Sequence, residues 1–99
     1  MLDMPVNIRY CIDPEADRPH ILDRGVAKHE VEEVLARPGE DRPRREGTRV
    51  ALGRTRRGRL LRVVYVPEPG PDGIFVITAY DLKGKPLRAF IRPMRRRRT

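Results

Sequence analysis

Four side chains are the candidates to move a proton or hold a reacting phosphate: His20, Arg54, Arg62 and Tyr80. Histidine titrates near neutral pH, so His20 suits a general base or acid. Its plainer alternative is a structural role at the end of a short helix. A phenol offers a π-face and a hydroxyl, so Tyr80 and Tyr65 can each stack a base or donate a proton. The alternative for both is core packing with the hydroxyl on a surface partner. A basic turn follows Tyr80, which makes it the better functional candidate and leaves Tyr65 as core. Arg54 and Arg62 stand among apolar neighbours in strand-like runs. Such an arginine either lays its stem on apolar surface or aims its planar fork at an anion. His29, between Lys28 and Glu30, reads as a surface residue.

The charge distribution points to a polyanion. Residues 1–41 hold five Lys/Arg against ten Asp/Glu, a net of −5, while residues 42–99 hold seventeen against four, a net of +13. The basic half favours nucleic acid as partner. Lys83, Lys85, Arg88 and Arg92 form the expected phosphate-tracking surface, and Arg95 and Arg96 open a terminal arginine run. That run adds electrostatic affinity without reading sequence, or serves only as a solubilising tail.

Other classes are disfavoured. The single cysteine, Cys11, allows no internal disulfide and fits a reducing cytoplasm. One cysteine and two histidines offer no zinc-ligand spacing, so neither metal nor cofactor is expected. No run of apolar residues is long enough for a membrane span, and no charged-then-apolar leader opens the chain. Ninety-nine residues suit one small domain, expected over residues 1–92, with residues 93–99 as a disordered basic tail.

The elements that must position these groups follow from periodicity. Val6–Ile12 alternates as a strand with Val6, Ile8, Tyr10 and Ile12 on its buried face. Asp13-Pro14 ends it, with Asp13 able to cap the segment after it and Pro14 suited to a first helical position. A short turn or helix is expected through His20–Asp23, stopped by Gly25 in a left-handed conformation. Ala27–Ala36 is an amphipathic helix with Ala27, Val31, Val34 and Leu35 inward. Glu40–Gly47 reads as a loop or frayed edge strand.

Three strands come next. Thr48–Thr55 carries Val50 and Leu52 inward; Arg59–Val66 carries Leu61, Val63 and Tyr65 on one face; and the apolar run Ile74–Tyr80 is a central strand. Alternation puts Tyr80 with Ile74, Val76 and Thr78. Gly58 closes a short hairpin in which Arg54 opposes Leu60 or a neighbour, and a one-residue slip would decide whether Arg54 and Arg62 share a face. Pro67–Gly73 is a stiff loop, and Leu87, Ala89 and Ile91 suggest a last strand. The expected fold is a small α+β domain, with an N-terminal strand and two short helices on a three- to four-stranded antiparallel sheet.

Three segments carry a family likeness: His20-Ile-Leu-Asp-Arg24-Gly25-Val26 with the helix behind it, Arg49-Val-Ala-Leu-Gly53-Arg54-Thr55 with Gly58–Tyr65, and Phe75–Tyr80 running into a basic C-terminus. Together they resemble the BrnT-like branch of the RelE/ParE toxin superfamily, including its uncharacterised relatives, over about residues 6–92. The resemblance implies a compact α+β fold and a metal-independent endoribonuclease, held in check by a cognate antitoxin. A ribose 2′-hydroxyl would attack the neighbouring phosphate of an RNA, on or off the ribosome. His20 matches the family's His…Arg-Gly segment, and Arg54, Arg62 and Tyr80 would stabilise the phosphorane and pass protons. In BrnT-like sequences Ser or Thr opens the helix where Ala27 stands here, and a Ser-Ala-Arg ending falls at Ala79-Tyr80. The missing Arg after Ala79 and the absence of a convincing acid–base pair motivate the alternative, a non-catalytic nucleic-acid- or protein-binding module on the same scaffold. A dimeric structural protein with paired edge strands is a third reading.

Overall fold

A computed structural model of the protein describes residues 7–69, 73–84 and 88. The fold is α+β, with two helices on one face of a mixed five-stranded sheet and a separate two-stranded ladder. In chain order these are β1 (Asn7–Tyr10), β2 (Ile12–Asp13), β3 (Arg18–Pro19), α1 (His20–Asp23), α2 (Lys28–Ala36), β4 (Glu40–Pro43), β5 (Arg49–Arg54), β6 (Leu60–Glu68) and β7 (Gly73–Asp81). A 3-10 turn, Arg45–Gly47, links β4 to β5. The sheet order is β1-β7-β6-β5-β4. Strands β4 to β7 form an antiparallel meander, and β1 adds to its edge parallel to β7.

The two sheet faces bury different clusters. Toward the helices lie Ala51 of β5, Leu61, Val63 and Tyr65 of β6, and Val76 and Ala79 of β7, packed on Ile21, Val26, Val31, Val34 and Leu35. Small residues let α2 come close: a Cβ on Gly53 would stand 3.0 Å from Val34 Cγ1. The opposite face buries Val50, Leu52, Val64 and Leu82, with Leu60, Ile77 and Tyr80 packed against them. Both faces of β5 therefore carry core. Val50 and Leu52 point away from the helices, and Ala51, expected opposite the core, faces α2 instead.

Helix α2 follows its pattern, burying Val31, Val34 and Leu35. Ala27 has no side-chain acceptor for the first amides. Glu30 supplies one from inside the helix, its Oε1 accepting the Ala27 N–H at 3.0 Å. Helix α1 ends in a left-handed glycine, Gly25 at φ 72°. The Gly25 N–H donates to the Leu22 carbonyl and the Val26 N–H to the Ile21 carbonyl, at 3.1 and 3.0 Å. This is the paired C-terminal closure expected of a Gly stop, and Ile21 and Val26 complete it by packing together in the core.

Several expectations change, beginning with the sheet, which has five strands and is mixed where three or four antiparallel strands are expected, because β1 pairs with β7 in parallel and β4 pairs with β5. The N-terminal strand is broken at Cys11, so Ile12 does not continue the buried face and is 48% exposed. Cys11 is a junction: its N–H donates to the Val76 carbonyl of the main sheet, and its carbonyl accepts the His20 N–H. Pro14 opens no helix. Residues 14–17 turn β2 back onto β3, with Asp13 Oδ1 accepting the Glu15 N–H at 2.9 Å and Asp17 at φ 54°.

Another change is in β7. Val64 pairs with Thr78 and Tyr65 with Val76, which leaves Ile77 as the extra residue of a β-bulge. The bulge reverses alternation, so Ala79 joins Val76 on the helix side, and Tyr80 lies on the far face with Ile77. Strands β6 and β7 also run longer than expected, to Glu68 and from Gly73. Arg88 has helical backbone rather than strand. The rest of the expected last strand, and the tail 93–99, lie outside the described residues.

Candidate nucleic-acid interface

Strand register decides which arginines share a surface. Arg54 pairs with Leu60 and Leu52 with Arg62, so Arg54 and Arg62 are diagonal neighbours on the face away from the helices. The turn that fixes this register is closed by Gly58, at φ 91°, with its N–H on the Thr55 carbonyl at 2.9 Å. On the other side of β6, Arg62 pairs directly with Tyr80, its guanidinium carbon 6.0 Å from the ring centroid. Three of the four residues singled out from the sequence thus meet on one face.

A third cation joins them, Arg24, which stands in the segment that carries the family likeness but is not among the candidate site residues read from the sequence. β1 stops at the level of Val76, and α1 lies against β7. Arg24, the residue that caps α1, puts its guanidinium carbon 5.4 Å from the Tyr80 ring centroid. Two guanidinium groups therefore share one phenol ring. A ring quadrupole attracts each of them, yet the two cations repel one another, and an anion between them relieves that repulsion. Among the described residues, Arg9, Arg18, Arg42 and Arg49 each have a carboxylate partner and Arg59 has two, whereas Arg24, Arg54, Arg62 and Lys83 have none, as is also true of Lys28, Arg37, Arg44, Arg45, Arg56, Arg57 and Arg88. Arg62 Nε is buried without an acceptor among the described residues. Of the cations without a carboxylate partner, Arg24 and Arg62 are the two that lie against the Tyr80 ring.

His20 lies in a different cluster. It opens α1, and its ring nitrogen and the carboxylates of Asp13 and Asp23 lie within 4.8 Å of one another. This donor set could hold a cation, but the protein already supplies one: Arg18 donates to Asp23 Oδ1 from two nitrogens, at 2.7 and 3.0 Å. The Glu15 N–H, the largest influence, holds the Asp13 carboxyl below its usual range, and the His20 charge adds to this. Tyr65 is a core residue, as expected. Its hydroxyl bonds both oxygens of Asp41 at 2.7 Å, and burial followed by that contact pushes its pKa up to about 12. Lys83 and Arg88 are exposed. Lys85, Arg92, Arg95 and Arg96 lie outside the described residues.

A family model described as a domain of unknown function, DUF4258, matches residues 18–81, from β3 to the end of β7. The chain belongs to the DUF4258 family. No curated protein and no solved structure matches it. The part of this DUF4258 domain that matches includes Arg24, Arg54, Arg62 and Tyr80 as well as His20, and it leaves out β1 and β2. No helix among the described residues is long and apolar enough to cross a membrane.

Proposed function

We propose that this DUF4258 domain binds single-stranded RNA through the surface formed by Arg24, Arg54, Arg62 and Tyr80. The observation that carries the reading is the convergence of Arg24 and Arg62 on the Tyr80 ring, with no carboxylate partner for either among the described residues. Guanidinium groups beside an aromatic ring suit a strand whose phosphates take the charge and whose bases have free faces. The excess of +13 in residues 42–99 supports the same partner by steering any polyanion toward the chain. Fluorescence anisotropy with a labelled single-stranded RNA tests it. Wild type is expected to bind, and Tyr80→Ala to weaken binding by about 1–3 kcal/mol, the usual worth of a base–aromatic contact. Unchanged affinity in Tyr80→Ala would refute the site.

A second reading adds cleavage, and the Tyr80 hydroxyl beside two guanidinium groups favours it. A 2′-hydroxyl attack needs a proton acceptor, a donor for the leaving 5′-oxygen and cations at the phosphorane. As the 2′-oxygen bonds phosphorus and the P–O5′ bond breaks, Tyr80 would donate its proton to the leaving 5′-oxygen, solvent would take the 2′-hydroxyl proton, and Arg24, Arg54 and Arg62 would hold the charge. The resemblance to BrnT-like toxins supports this reading, and with it a cognate antitoxin as partner. Incubating the protein with RNA, with and without ribosomes, should give fragments with 2′,3′-cyclic phosphate ends. RNA left intact in both conditions would leave binding as the function.

A further inference from the structure

The Arg24–Tyr80 contact joins a helix cap to a strand end with no backbone hydrogen bond between the two residues. Core packing of Ile21 and Val26 seats α1 on β7, and one side chain touches the chain beside both residues of the contact. Arg59 stands just before β6, at an inward-facing position in step with Leu61, Val63 and Tyr65. Its Nε and one terminal nitrogen grip the two carboxylate oxygens of Asp81 at 2.7 and 3.2 Å. Its other terminal nitrogen donates to the Gly25 carbonyl at 2.8 Å and to Glu30 Oε1 at 3.0 Å. Gly25 follows Arg24, and Asp81 follows Tyr80.

We infer that Arg59 is the positioning residue of the proposed RNA surface, its planar fork fixing the α1 cap against the end of β7 so that Arg24 meets the Tyr80 ring. This rests on that surface being the binding site. Arg59 also has a charge role there. Asp81 follows Tyr80 in the chain, Glu30 shares the Arg59 guanidinium with it, and Arg59 pairs with both carboxylates. Left unpaired, they would repel a phosphate and compete for Arg24. A lysine cannot replace this function, since a single ammonium lacks the fork that reaches the Asp81 carboxylate, the Gly25 carbonyl and Glu30 together.

Side-chain 1H–15N NMR of labelled protein tests the positioning without any ligand. In wild type the Nε–H protons of Arg24 and Arg62 should both be shifted by the Tyr80 ring current. Arg59→Gln is expected to abolish the Arg24 shift and to keep the Arg62 shift, because the β6–β7 ladder alone supplies the latter contact. Arg59→Lys should behave like Arg59→Gln. The milder Asp81→Asn, which weakens only the Tyr80 side of the grip, should reduce the Arg24 shift in a chain that stays folded. An Arg24 shift that survives Arg59→Gln overturns the inference. So does loss of both shifts, since Arg59 would then hold the sheet rather than the site. Single-stranded RNA affinity should fall about tenfold in Arg59→Gln, as expected when one phosphate-binding cation is misplaced. Wild-type protein with intact ring-current shifts but no RNA binding would refute the binding function and leave the positioning role standing.

Discussion

Arg62 and Tyr80 are direct partners across the β6–β7 ladder, and only the bulge at Ile77 allows it. Simple alternation from Val76 would send Tyr80 to the helix side of the sheet. The one extra residue turns it to the face that Arg54 and Arg62 share. Binding and chemistry can be separated here. Tyr80→Phe keeps the ring that both guanidinium groups contact and should bind RNA within about twofold of wild type, since stacking and cation–π contacts need only the π-face. If the hydroxyl passes a proton, the same variant should stop cleavage, as gel analysis of end-labelled RNA would read.

Glu30 has two duties, accepting the Ala27 N–H at the start of α2 and pairing with Arg59. Glu30→Ala should destabilise the fold by about 1–2 kcal/mol, the range for losing a helix cap. Urea unfolding followed by circular dichroism would measure it.

Acid should act through the same groups. The Ala27 N–H, first, and Arg59 hold the Glu30 carboxyl below its usual range, and Arg59 does the same for Asp81. Carboxyls with lowered folded values stabilise the fold above the ordinary carboxylate range and lose that contribution as pH falls through the lowered values. Stability should therefore be level above about pH 5 and decline below about pH 4. Asp81→Asn should flatten the decline, as read from urea midpoints across pH.

Alkali should act through one buried and one half-buried tyrosine. Burial, with Glu32 adding, pushes Tyr10 up to about 12, and burial with the Asp41 contact does the same for Tyr65. A phenol whose folded value is raised keeps its contribution below the unfolded value near pH 10 and loses it as pH rises toward 12. Absorbance titration at alkaline pH should show these two ionising late. Tyr65→Phe should remove one of the late steps.

Gly53 marks how closely α2 lies on β5. A methyl there would stand 3.0 Å from Val34 Cγ1 and 3.6 Å from Pro38 Cα. Valine is stiff at χ1 and cannot swing away. Gly53→Ala should cost about 1–3 kcal/mol by overpacking, seen as a lower urea midpoint.

Periodicity alone carried much of this fold. The alternation of Leu61, Val63 and Tyr65, the helical spacing of Val31, Val34 and Leu35, and the Gly58 turn were enough for the helix, the hairpin and the core face of β6. Once Arg54 pairs with Leu60, Arg54 and Arg62 must share a face, and hairpin counting allowed that register. Three features had no local signal. The parallel pairing of β1 with β7 joins segments far apart in the chain, the Ile77 bulge is a property of the ladder, and the Arg24–Tyr80 contact depends on how α1 docks. Arg59 did have a signal in the sequence. An arginine at the inward-facing position before Leu61 needs carboxylate partners, and Glu30 and Asp81 are those partners.

The claim that Arg24, Arg54 and Arg62 meet the phosphates of a strand is tested most directly by the salt dependence of RNA binding. Affinity should be measured against salt concentration for wild type and for the triple variant Arg24→Gln, Arg54→Gln, Arg62→Gln, after circular dichroism shows the fold intact. Each lost phosphate contact on a single strand should lower the slope of log K against log salt by about 0.7, so the triple variant should be shallower by about 2. A slope equal to that of wild type would mean that these arginines do not touch the strand, and would contradict the proposed surface.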